Sequence, residues 1–178
     1  MTAVFPDTTV MCNFAAVQRV RLLEQILRGR GRWTEAVRAE VEKSRGHLPD
    51  LRRVLDGGWM GAPIVVDSDA DIIAVQRIRR VVFGGDDRRP TQHLGEAETC
   101  HVISSRVEFH GAWWVTDDRA AASFGRRKGM TTLETVDLLR HAVSDGDVTA
   151  REAFDLLVKM ADSKRNITVP GSWRDLTP

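Results

Sequence analysis

Short apolar runs alternate with segments of helical periodicity along this chain, and that alternation restricts the fold more than any other feature of the sequence. A buried strand is expected over residues 3–6, with Asp7 at its carboxyl end. Ile64, Val65 and Val66 predict a second strand, and Trp113, Trp114 and Val115 a third that ends in Thr116, Asp117 and Asp118. Trp33 reads as a short strand or its remnant. Between these runs, Phe14, Val17, Val20, Leu23 and Leu27 recur at helical spacing. Thr34 is placed to cap a helix through Val37, Glu40 and Val41, and Ser68 or Asp69 another through Ile72, Val75 and Arg79. A further helix opens at His93 and Leu94, and Asp118 caps the one after the third strand. Strands that alternate with helices in this way give an α/β domain with a mostly parallel sheet.

Two S/T-x-x-E signatures, Thr131 with Glu134 and Thr149 with Glu152, predict capping boxes that start two more helices. The expected organisation is a core over residues 1–130, a helical pair packed on it over 131–165, and a tail over 166–178. A length of 178 residues suits one such domain. No apolar run approaches the roughly 18–20 residues of a membrane span, and the start lacks the basic-then-apolar pattern of a signal peptide. A cytoplasmic protein without a membrane partner is the expectation. Cys12 and Cys100 lack CxxC spacing and read as small buried hydrophobes. The net charge of +1 hides clusters at Arg28/Arg30/Arg32, Arg77/Arg79/Arg80, Arg88/Arg89 and Arg126/Arg127/Lys128. A charge cluster is ordinarily a solvated face; several converging on one cleft would contact phosphates.

In open parallel sheets, ligands bind beyond the carboxyl ends of the strands. Asp7 and the pair Asp117/Asp118 are expected there, and Glu40 and Glu96 on neighbouring helices would complete an acidic cluster. Packed like charges raise one another's pKa and resist ionisation. Hard divalent cations relieve that conflict, and oxygen ligands suit Mg²⁺ or Mn²⁺. Two such ions about 4 Å apart hold a scissile phosphate and activate water. Each acid also has a plainer reading. Asp7 and Asp118 are good N-caps, Asp117 suits solvent, Glu40 suits a helix surface, and Glu96 suits the positive end of its helix. His93 reads as a loop or packing residue rather than a general base. Trp113 and Trp114 should face opposite sides of their strand, while Trp33, Trp59 and Trp173 are expected nearer the surface.

Four segments in order resemble the PIN-domain nuclease family. Phe5-Pro6-Asp7-Thr8-Thr9-Val10-Met11-Cys12-Asn13-Phe14 is similar to its opening strand. Trp33-Thr34-Glu35-Ala36-Val37-Arg38-Ala39-Glu40-Val41 resembles its second segment, and Leu94-Gly95-Glu96-Ala97-Glu98 the LGExE variant of its third. Val115-Thr116-Asp117-Asp118-Arg119-Ala120 resembles the fourth, and the helices after Thr131 resemble those of a bacterial toxin-type subgroup. The resemblance implies a three-layer α/β/α fold with added C-terminal helices. It implies a Mg²⁺- or Mn²⁺-dependent endoribonuclease, the toxin of a toxin–antitoxin pair, acting on RNA as a homodimer and inhibited by a cognate antitoxin protein. Asp7, Glu40, Glu96 and one or both of Asp117 and Asp118 would form the catalytic and metal-binding set, with the family's Thr-x-Asp spacing favouring Asp118. Thr8, Thr9, Asn13 and Thr116 would position water or substrate. The alternative is a PIN-fold interaction or RNA-binding module that has lost catalysis.

Overall fold

The computed structural model describes residues 2–177. Strands β1 (Val4–Pro6), β2 (Trp113–Val115) and β3 (Thr131–Leu133) lie side by side in that order, all parallel. Val4 stands opposite Trp113, and Trp113 opposite Thr131. Single parallel bridges extend the order beyond β1: Gly31 pairs with Val4, and Thr34 with Ile64. The molecule is thus mixed α/β around an all-parallel sheet. The strand expected over residues 64–66 shrinks to the Ile64 bridge, because Val65 is 44% exposed and the run lacks the two buried faces that a central parallel strand needs.

Alternate strand residues feed two cores, as the pleat requires. Val4 and Val115 enter a core built with helices α1 (Thr8–Ala16), α2 (Val20–Leu27) and α3 (Glu35–Ser44). Phe5 and Trp114 enter the other, with Cys100 and Ile103. The short α4 (Arg52–Asp56) follows α3, and α5 (Asp69–Val81) packs on α6 (Leu94–Ser105). α7 (Arg119–Arg127) joins β2 to β3, and α8 (Thr135–Ser144) and α9 (Ala150–Asp162) close the first core. Among the described residues no helix is long and apolar enough to cross a membrane.

Three local expectations are corrected. The helical pattern from Phe14 to Leu27 is two helices, because Gln18 turns left-handed (φ 55°). Its N–H donates to the Ala15 carbonyl and that of Arg19 to the Phe14 carbonyl, the paired bonds of a Schellman stop. The Thr131–Glu134 signature starts no helix. Thr131 and Thr132 extend as β3, where β-branched side chains fit the pleat. Glu134 is itself the N-cap of α8, its N–H donating to Asp137 Oδ2 at 2.9 Å. The helical pair therefore begins at Thr135, and residues 131–133 belong to the sheet. Trp33 is core rather than surface, its indole N–H satisfied by the Gly61 carbonyl at 3.0 Å. The Thr149–Glu152 box stands as read. The faces around Phe14–Leu27 and Phe154–Met160, apolar enough to suggest a dimer contact, are spent inside the chain: Phe14, Leu23, Leu27, Leu157 and Met160 are all buried.

Candidate active site

β1 delivers Asp7 to the carboxyl end of the sheet, where its N–H donates to the Val115 carbonyl at 2.8 Å and ties it to the end of β2. Asp7 caps α1, Oδ1 accepting the Thr8 N–H at 2.6 Å, while Oδ2 accepts the hydroxyls of Thr9 and Thr116, each at 3.1 Å. Capping and site membership therefore coincide in one side chain. Asp7 is only 4% exposed. Burial, and next the charge of Glu40, push its carboxyl up to about 6.

Glu40 reaches the same place from the middle of α3. Its Oε2 accepts the Thr8 hydroxyl at 2.6 Å and Oε1 the Gly95 N–H at 3.3 Å. The glycine gives this approach its room: a Cβ at residue 95 would stand 2.9 Å from Glu40 Oε1 and push that carboxylate aside. Glu96 follows in the first turn of α6. Burial and then the Glu40–Glu96 repulsion raise Glu40, and burial and then Asp7 raise Glu96. The three acids thus raise one another in a closed triangle, the signature of like charges confined together. Two basic side chains adjoin them: His93, whose Nδ1 stands 3.5 Å from Glu96 Oε1, and Lys43, whose charge acts on Glu40.

The adjacent aspartates diverge. Asp118 caps α7, its Oδ1 accepting the Ala121 N–H at 2.8 Å. Asp117 turns inward along the sheet's carboxyl edge. It accepts the Asn13 amide at 2.7 Å, the Thr135 N–H at 2.9 Å and the Thr135 hydroxyl at 2.5 Å. Burial, and next Glu134, raise its carboxyl above the ordinary range. Thr116 stitches the two halves, its hydroxyl donating to Asp7 and accepting the Asp118 N–H at 3.2 Å. Asn13 passes the connection on, since Oδ1 accepts from Arg165 Nε at 2.8 Å.

Sequence reasoning missed Thr135, Arg165 and Glu98. Thr135 was hidden by the misleading Thr131 signature. Arg165 lies 152 positions from its partner, and no local pattern announces such a contact. Glu98, the last acid of the LGExE segment, accepts the Ala36 N–H at 3.1 Å at the start of α3. There it complements the helix dipole and holds the helix that carries Glu40. Three of the clustered arginines are held by other partners. Arg28 pairs with Asp145 and Asp147, Arg126 with Glu134, and Arg79, 1% exposed, clamps the loop after α5 through Asp87 and the carbonyl of Asp86.

The donor set of this site is carboxylate, hydroxyl and amide oxygen, which suits a hard divalent cation rather than a soft one. As placed, hydroxyls of Thr8, Thr9 and Thr116 occupy the carboxylate oxygens. Among the described residues no three His, Cys, Asp or Glu side chains stand at metal-holding distance. Set against known protein families, curated proteins and solved structures, the chain matches none of them.

Proposed function

We propose that this chain is a Mg²⁺- or Mn²⁺-dependent endoribonuclease with a three-layer, PIN-like α/β/α core. The reading rests above all on Asp7, Glu40 and Glu96, raised by burial and by one another at the carboxyl end of a parallel sheet, where Thr8 joins Asp7 to Glu40 through its N–H and its hydroxyl. The parallel order Ile64, residues 31–34, β1, β2, β3 supports it as well, since it sets Asp7 and Asp117 at the ends of neighbouring strands.

In this reading Asp7, Glu40, Glu96 and Asp117 hold the cation, and Asp118 serves as the cap of α7. A bound cation polarises the scissile phosphate and lowers the pKa of water. Thr8, Thr9 and Thr116 swing their hydroxyls off the carboxylates and toward water or phosphate. Asn13 keeps Asp117 facing the sheet end. The toxin role, the cognate antitoxin and the homodimer follow from the family resemblance, and a homodimer would need a face other than those spent in the core. Incubating labelled RNA with the chain and with Asp7→Asn, in Mn²⁺ or in EDTA, tests the reading. Cleavage is expected from the unaltered chain in Mn²⁺ alone; equal cleavage by both proteins refutes it.

One observation favours the alternative, a PIN-like module without catalysis. The carboxylates are engaged by protein hydroxyls, and among the described residues no three of them converge. A thermal shift at millimolar Mn²⁺ separates the two readings, and its absence favours the module.

A further inference from the structure

α9 ends in a Schellman stop like that of α1. The Lys164 N–H donates to the Ala161 carbonyl and the Arg165 N–H to the Met160 carbonyl, with Lys164 left-handed at φ 58°. A lysine in that conformation is uncommon, since most side chains crowd the backbone there. The turn aims Arg165 back across the first core toward the carboxyl end of the sheet, where Nε donates to Asn13 Oδ1 at 2.8 Å. The segment beyond it is tied down at both ends. Thr168 donates to Glu134 Oε2 at 2.8 Å, and Leu176 is buried against the core. A cleft of about 280 Å³ opens between Asp117, Arg119, Glu134 and residues 166–169.

Arg165 differs from the arginines that hold the fold together. Arg79 spends its guanidinium on Gln76, Asp87 and two carbonyls. Arg165 is half-buried, lies beside the Cys12 thiol, and among the described residues forms no ion pair. Its Nε donates to a neutral amide and the guanidinium also meets the Cys12 thiol, a weak acceptor, which leaves further N–H donors for another group. Partly desolvating a guanidinium without a counter-charge is costly, and the planar fork matches a phosphate bidentately.

We propose that Arg165 is a substrate-binding residue that grips a backbone phosphate of the RNA beside Asp117, while Nε holds Asn13 in the orientation that faces that acid. The inference rests on the nuclease reading and adds a residue from the C-terminal segment to its site.

The test uses the full chain, its Arg165→Met and Arg165→Lys variants, and short fluorescein-labelled single-stranded RNA, with Ca²⁺ replacing Mn²⁺ to suppress cutting. Anisotropy is read across a salt series, and each protein's Mn²⁺ thermal shift is measured separately. Arg165→Met should weaken RNA binding about tenfold and lower the salt slope by about 0.7, one phosphate contact on a single strand. Arg165→Lys should restore the slope and part of the affinity. All three should keep the Mn²⁺ shift. Unchanged affinity and slope in Arg165→Met overturn the inference, as does joint loss of RNA binding and Mn²⁺ shift, which would make Arg165 a structural support of Asn13. If Arg165→Met melts without cooperativity, Arg165→Gln, which keeps an amide donor but no charge, carries the same comparison. Absence of a Mn²⁺ shift in the unaltered chain refutes the nuclease reading; RNA binding indifferent to Arg165 refutes only this inference.

Discussion

The two ends of the sheet are built from opposite materials. At the carboxyl end, Asp7, Glu40 and Glu96 raise one another, Asp117 stands at the neighbouring strand end, and all four have raised pKa values. At the amino end, beside Ala112 and Thr131, lies a larger cavity of about 690 Å³ with no acid in its lining. Cys100 lines it, and burial pushes that thiol up to about 11, so it stays protonated and unreactive at neutral pH. The smaller, polar end is where the chain tolerates confined like charges, and such tolerance needs a reason beyond packing.

The largest expected effect sharpens that contrast. Asp7→Asn should slow Mn²⁺-dependent RNA cleavage by at least about a hundredfold, while Val81→Asn, at a 77% exposed residue lining the amino-end cavity, should leave the rate within about twofold. A gel time course with labelled RNA reads both, and equal losses would erase the distinction. Next comes stability without metal. An acid whose folded pKa of about 6 exceeds its ordinary 3.8 carries an extra proton in the folded state between those values. Stability is therefore lost as pH rises through that window. In EDTA, Asp7→Asn should gain on the order of 2–3 kcal/mol at pH 7.5 and nothing near pH 3.5, measured by urea unfolding at each pH. A gain equal at both would mean that the charge is not confined.

Smaller effects probe the edges of the cluster. Gly95→Ala should displace the Glu40 carboxylate and weaken Mn²⁺ binding about tenfold, read as the midpoint of a thermal-shift titration. Asp118→Ala should cost about 1 kcal/mol as a lost helix cap and leave that midpoint unmoved, whereas Asp117→Asn should shift it. The reverse ranking would place Asp118, as the Thr-x-Asp spacing suggests, in the metal site.

Much of this was legible in the sequence for local reasons. Strand, acid and cap sit within a few residues of one another at Asp7 and at Asp118, and Thr149 with Glu152 encodes its turn directly. The halves of the site that were not legible depend on distance. Which of Asp117 and Asp118 turns inward is decided by Asn13 and Thr135, one 104 positions away and the other the first residue of the helix that follows a strand disguised as a helix start. Gly95 shows its purpose only once Glu40 arrives from another helix. Among the clustered arginines, Arg28, Arg80 and Arg126 lie on solvated faces as such runs ordinarily do and Arg79 is swallowed by its own loop, while Arg165, outside those clusters, reaches the site.

Calorimetry of Mn²⁺ binding at pH 6, in buffers of different ionisation enthalpy, tests the central claim most directly. With Asp7 titrating near 6, the ion should displace roughly half a proton from that residue on binding. The heat should therefore vary with buffer in the unaltered chain and lose most of that variation in Asp7→Asn. No heat at millimolar Mn²⁺, or the same buffer dependence in both proteins, would contradict a cluster of acids assembled for a divalent cation.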